Sequence, residues 1–121
     1  MTRSRTSAKA AGTRMERLVA DTLAEHLDDR IDRKVRGGAI DRGDVGGVRV
    51  HGRPLTIEVK DVSRTDLSGW VREAEVERVN DGGLAGIVVH KRRGDGDGLD
   101  QYVTMTVRDL IAIISGERPG V

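Results

Sequence analysis

Leu55-Thr56-Ile57-Glu58-Val59-Lys60 is the stretch on which the fold turns. Apolar and polar residues alternate there with the period of a strand, sending Leu55, Ile57 and Val59 to one face and Thr56, Glu58 and Lys60 to the other. Glu58 and Lys60 are therefore neighbours, roughly 7 Å apart along one face. Just upstream, Val45, Val48 and Val50 with polar partners read as a second strand, joined to the first in a hairpin through His51-Gly52-Arg53-Pro54. Gly43-Asp44 stands at the entry of that upstream strand, so an aspartate and a glutamate 14 residues apart are expected on paired strands.

Working outward, Met15, Leu18, Val19, Leu23 and Leu27 recur at helical spacing and predict a helix from Thr13 to about Asp28, with Thr13 and Glu16 in capping-box form. At 100° per residue, Glu16 falls between Leu23 and Leu27 in angle, inside the apolar arc. It either points an acid toward the sheet or caps its own helix. Ile31 to Arg36 reads as a strand, followed by a Gly-rich stretch. On the other side of the hairpin, Asp66 or Ser68 can cap a second helix through Trp70, Val71, Ala74, Val76 and Val79, which Asn80-Asp81-Gly82-Gly83 stops. Gly86-Ile87-Val88-Val89-His90 is the apolar run of a central strand covered on both faces. A Gly-Asp-Gly-Asp-Gly loop at 94–98 leads to a strand from Gln101 to Val107 and a last helix, Leu110 to Ser115, ended by Gly116. The expected order is helix, three strands, helix, strand, strand, helix, in one domain over residues 13–121 behind a flexible basic arm at 1–12.

Composition narrows the chemistry. The 121 residues carry 21 Lys and Arg against 20 Asp and Glu, and 36% are hydrophobic, enough for one core. No cysteine is present, which excludes disulfides, thiolate catalysis and cysteine-ligated zinc, and His26, His51 and His90 are too scattered for a histidine metal site. Any metal would be held by oxygen. No apolar run approaches the roughly 20 residues of a membrane span, and the basic start lacks the apolar core of a signal peptide, so a cytoplasmic protein is expected. Arg3, Arg5, Lys9, Arg14 and Arg17 against the single acid Glu16, and the second cluster His90-Lys91-Arg92-Arg93, favour an anionic partner. Trp70, with Tyr102 one of two aromatics, is expected to anchor the core. Asp95, Asp97 and Asp100 lack the bidentate glutamate of a calcium loop.

Two carboxylates on paired strands can share one magnesium, a hard ion that prefers oxygen ligands, and a lysine two residues beyond can orient water or offset charge building on a phosphate. Asp44, which follows glycine at the start of the apolar strand, is preferred over Asp41 as the partner of Glu58. This set, with its hairpin, its preceding helix bearing Glu16 and its following helix and buried strand, resembles the metal-dependent PD-(D/E)xK nucleases over approximately residues 13 to 91. Within that superfamily the chain is similar to the small archaeal-type Holliday junction resolvases and their phage relatives, on Glu16, Arg36, Gly37, Gly38, Asp44, Glu58, Lys60 and Trp70. Where those resolvases usually carry a glutamine on the helix after the motif, this chain offers Glu73, Glu75 and Glu77.

The resemblance implies an α/β protein with a restriction-endonuclease-like core, a central mixed sheet flanked by helices. It implies a magnesium-dependent endonuclease, with manganese able to substitute, that cuts branched DNA such as four-way junctions as a homodimer with two sites. Asp44 and Glu58 would hold the metal, Glu16 would extend the set through a water or a further ion, and Lys60 would assist. Arg14, Arg36, Lys91, Arg92 and Arg93 would contact phosphates. The rival expectations are another PD-(D/E)xK repair, restriction-like or flap- and end-processing nuclease, and a non-catalytic DNA-binding protein. The second helix is acidic instead of presenting a row of base-reading side chains, so DNA shape, not sequence, is the expected target.

Overall fold

A computed structural model describes residues 4–35 and 38–120. Strand β4 (Arg53–Lys60) is the spine of a six-stranded mixed sheet. On one side it pairs in parallel with β5 (Ala85–His90), from Leu55 opposite Ala85 to Lys60 opposite His90. On the other it pairs antiparallel with β2 (Val45–Gly46) and with β3 (Arg49–Val50). β1 (Asp32–Arg33) adds antiparallel to β2, and β6 (Tyr102–Thr104) to β5, giving the order β1-β2-β4-β5-β6. A parallel pair needs a crossover, which α2 (Leu67–Asp81) supplies. The α/β class, the mixed sheet, the flanking helices and the central place of the 86–90 run are as expected, and the arrangement is consistent with a restriction-endonuclease-like core.

The pleat of β4 and β5 divides the interior. Ile57, Val59, Ile87 and Val89 pack with Met15, Val19 and Ala20 of α1 (Arg5–His26) and with Ile31, Val45 and Val48. On the opposite face Val88 packs with Trp70 and Ala74 of α2, so Trp70 is the core anchor expected. α2 starts on the Asp66 side chain, which accepts from the Gly69 amide at 3.1 Å, and stops at Gly82 in the left-handed conformation. Gly86 lets this helix lie close, since a Cβ there would stand 2.9 Å from the Ala74 carbonyl oxygen.

Several elements differ from the sequence reading. α1 begins at Arg5, so residues 5–12 are helix instead of an arm; the Ser4 hydroxyl caps it by accepting from Ser7 N–H, and the alanines at 8, 10 and 11 favour helix strongly enough to carry it through Gly12. Thr13 is thus interior and heads no capping box. The hairpin turn is the pair His51-Gly52, both at positive φ as a tight primed turn demands, and the 45–50 strand is broken at Gly47, itself at φ 90°. The strand expected from 31 to 36 is short, and Arg36 and Gly37 lie outside the described residues. α3 (Val107–Ser115) starts three residues early because Thr106 and Asp109 form the capping box that the sequence reading passed over. In α2, Val76 and Val79 are 60% and 62% exposed, whereas Glu77 is 2% exposed. The inward stripe is Trp70, Ala74, Glu77, at i, i+4 and i+7, and the two valines fall off it.

A buried ion network ties α3 to the sheet. The Asp109 carboxylate accepts from the Gly86 amide at 3.1 Å and from Arg118 at 2.6 Å, and Arg118 also reaches Glu75 on α2 at 3.2 Å. Burial pushes Asp109 up, but the Thr106 hydroxyl, Arg118 and the Gly86 amide outweigh it and hold the carboxyl below its ordinary value. Removing one partner of such a pair strands the other in the interior. Arg118→Ala is therefore expected to cost about 3 kcal/mol at neutral pH, and Val76→Ala under about 0.5 kcal/mol; urea unfolding of both variants measures the difference.

Candidate metal centre

The site begins with Gly43, at φ 96°, where a Cβ would stand 2.9 Å from the Ile57 carbonyl oxygen. Only glycine permits this approach. The next amide, Asp44 N–H, donates to that Ile57 oxygen at 2.8 Å, and the Asp44 carboxylate accepts from Val59 N–H at 2.8 Å. Asp44 is thereby pinned across β4 with its buried carboxylate against Glu58, but the three-carboxylate group described next contains Asp41, the alternative to the preferred Asp44. Asp41 enters from the same loop, shaped by a bond from Gly43 N–H to its carboxylate at 2.9 Å and from the Asn80 side chain to its carbonyl at 2.8 Å. Lys34 and Asp81 brace this loop: the Lys34 ammonium donates to Asp81 at 2.9 Å and to the Arg42 carbonyl at 2.6 Å, while Thr56 of β4 donates to Asp81 at 2.8 Å.

On the α2 side of the sheet, carboxylate oxygens of Asp41, Glu58 and Glu77 lie within 4.8 Å of one another. Asp41 is exposed and the other two are buried. Glu77 is the residue the sequence reading missed: its charge suggested a solvated helix face, and only its place seven residues after Trp70 signals burial. Both of its carboxylate oxygens are buried, with no donor reaching them except as the facing Glu58 carboxyl carries a proton. Burial pushes Glu58 up to about 8, with Glu77 adding to the effect. Glu77 is pushed up to about 7 by burial, and the charges of Asp41, Asp44 and Glu73 reinforce it. An all-oxygen donor set with an orphaned carboxylate fits a hard divalent cation.

Lys60 places its ammonium 2.8 Å from Glu73 of α2. Burial pulls its pKa down, but Glu73, Glu58 and Asp44 outweigh that and the pKa is raised, so Lys60 stays charged. Glu16 is not brought to this group. It accepts from Arg33 at 3.2 and 2.9 Å, on a helix that packs against the other face of the sheet. Arg14 is exposed on α1. Lys91 donates to the Asp95 carbonyl, Arg92 lies 3.7 Å from Asp95 with its guanidinium 5.5 Å from the centre of the Tyr102 ring, and Arg93 pairs with Asp61 at 2.9 Å, so this cluster also organises its own loop. A cleft lined by Lys34, Ile40, Asp41, Arg42 and Asp81 opens beside the acids.

Comparison with known proteins finds no matching family model, curated protein or solved structure.

A carboxyl whose folded value lies above its ordinary 4.5 takes up a proton on folding, so stability falls as pH climbs from 4.5 toward 7 for Glu77. Glu77→Gln removes that charge. With chelator present, the variant should melt above the parent at pH 8, and the gap should close toward pH 5. Differential scanning calorimetry at the two values checks this; an equal gap at both would mean that Glu77 does not titrate as described.

Proposed function

We propose that the protein is a metal-dependent endonuclease of the PD-(D/E)xK type that hydrolyses phosphodiester bonds in branched DNA. The observation that carries this reading is the hydrogen bond from Val59 N–H to Asp44, which holds this buried carboxylate, just before β2, against Glu58 of β4 with the charged Lys60 one pleat further on. Asp44 and Glu58 would hold magnesium or manganese, which supplies Lewis-acid polarisation of the phosphate and a bound water of lowered pKa. Lys60, fixed by Glu73, offsets the negative charge that grows on the phosphate in the transition state. Glu16 accepts from Arg33 and would extend this set only through a water or a further ion.

The substrate class follows from where the charge lies. Arg5, Lys9 and Arg14 are exposed on the N-terminal half of α1, where no acid opposes them and where the helix dipole disfavours cations. Arg14 points away from Arg5 and Lys9, so the basic charge surrounds this helix end instead of forming one face; an anionic partner would offset it, and backbone phosphates are one that needs no base readout. The outer face of α2 carries Arg72, Val76 and Val79, with Glu73 and Glu75 held at its flanks by Lys60, Arg78 and Arg118, and offers no row of base-reading side chains. Recognition of DNA shape, by a homodimer cutting opposing strands of a four-way junction, fits this distribution. Among the described residues no helix is long and apolar enough to cross a membrane.

Cleavage should require magnesium or manganese, stop with chelator, and favour junctions of two unrelated sequences equally over linear duplex. Asp44→Asn and Glu58→Gln should abolish cutting while junction binding stays intact or tightens, because less negative charge faces phosphate. Lys60→Ala should slow cutting by about 10²-fold, the scale of one electrostatic group at the transition state. Gel assays on junction, flap, single-stranded and duplex DNA decide: no cutting of any of them by folded protein overturns the enzyme reading. Equal cutting of duplex by a monomer discards the junction specificity and leaves the nuclease.

A further inference from the structure

The metal-dependent reading needs only Asp44 and Glu58, and it leaves the buried carboxylate of Glu77 without a role. An ionised carboxylate stripped of water and given no partner costs several kcal/mol, so a fold that keeps one must supply a proton or a cation. Among the described residues no lysine or arginine forms an ion pair with Asp41, Glu58 or Glu77, and Lys60 acts on Glu58 only through its charge. Lys60 is taken by Glu73 and Lys34 by Asp81. Asp41 approaches from the loop with its backbone held by Asn80 and its side chain by the Gly43 amide, so it is oriented before any ligand arrives. Ligand oxygens around a six-coordinate magnesium at about 2.1 Å stand roughly 3 Å apart when adjacent and about 4.2 Å when opposite. Oxygens of Asp41, Glu58 and Glu77 within 4.8 Å of one another need only a small contraction to reach that spacing.

We propose that Asp41, Glu58 and Glu77 form a divalent-cation position of their own, contributed by the loop before β2, by β4 and by α2, with Glu58 shared between it and the position of Asp44. Asp44 is held on the strand side by Val59 N–H, and Glu77 reaches Glu58 from the helix side, so the Glu58 carboxylate stands between the two. The inference deepens the nuclease reading and rests on it for the second ion, but not for Glu77 as a ligand.

The test is manganese binding by the whole, DNA-free chain, followed by isothermal titration and by the electron paramagnetic resonance of free manganese. The parent is expected to bind two ions. Glu77→Gln and Asp41→Asn should each lose one of them, or weaken it at least tenfold, and so should Asp44→Asn for the other. Glu58→Gln should weaken both, and Glu25→Gln on the exposed side of α1 neither. Thermal melts with chelator confirm that each variant is folded; because glutamine keeps the shape of Glu77 and removes its charge, that variant remains informative even if Asp41→Asn loosens the loop. Manganese binding by Glu77→Gln indistinguishable from the parent overturns the proposal, and so does a single ion lost alike in Asp44→Asn and Glu77→Gln. Two ions bound without any DNA cleavage would keep the cation position and remove the nuclease; cleavage with no effect of Glu77→Gln on binding would do the reverse.

Discussion

The pleat of β4 is the constraint from which the rest of the molecule follows. One strand must give α1 an apolar surface and give α2 a polar one, and period-two alternation does both with no break in the ladder to β5. Ile57 and Val59 close the main core; Thr56, Glu58 and Lys60 face the crossover helix. Because the pair is parallel, α2 must return along the sheet, and its inward stripe is bound to meet those three polar side chains. Thr56 meets Asp81, Glu58 meets Glu77, and Lys60 meets Glu73.

Those three meetings differ in kind. Thr56 with Asp81, and Lys60 with Glu73, satisfy their own hydrogen bonds and fix the ends of the helix against the strand. Between them, Glu58 and Glu77 bring two acids together under burial, a combination that opposes folding when both are charged. The chain is almost neutral, at +1, so this concentration of acids is local, and among the described residues Lys34 and Lys60 pair with Asp81 and Glu73 at its rim. Stability is recovered elsewhere, in the packing of α1 and in the Asp109–Arg118 network, where every buried polar group has its partner. The two buried acids therefore contrast: Asp109 is met by an arginine, a hydroxyl and an amide, and Glu77 is met only by other acids.

Local and periodic features were legible in the amino-acid sequence by itself. The alternation of β4, the apolar run of β5, the Asp66 and Gly82 ends of α2 and the Gly43-Asp44 entry to the hairpin each depend on neighbours a few residues away, and the structure reproduces them. So does the adjacency of Asp44, Glu58 and Lys60, since a hairpin and a pleat are short-range geometry. Tertiary structure decided what spacing could not. Which stripe of α2 turns inward depends on the sheet it meets, and Gly86 draws Ala74 to the sheet so that Glu77, not Val76 or Val79, is buried. Whether Glu16 serves the site depends on which face of the sheet α1 covers, and that face is the one opposite Glu58, where Arg33 takes its charge. Asp41 reaches the acids through a loop anchored by Asn80, a residue 39 positions away. Contacts over such distances arise only when the crossover closes, because the free energy of burying a charge beside another is set by the packed surroundings and not by either residue's place in the chain.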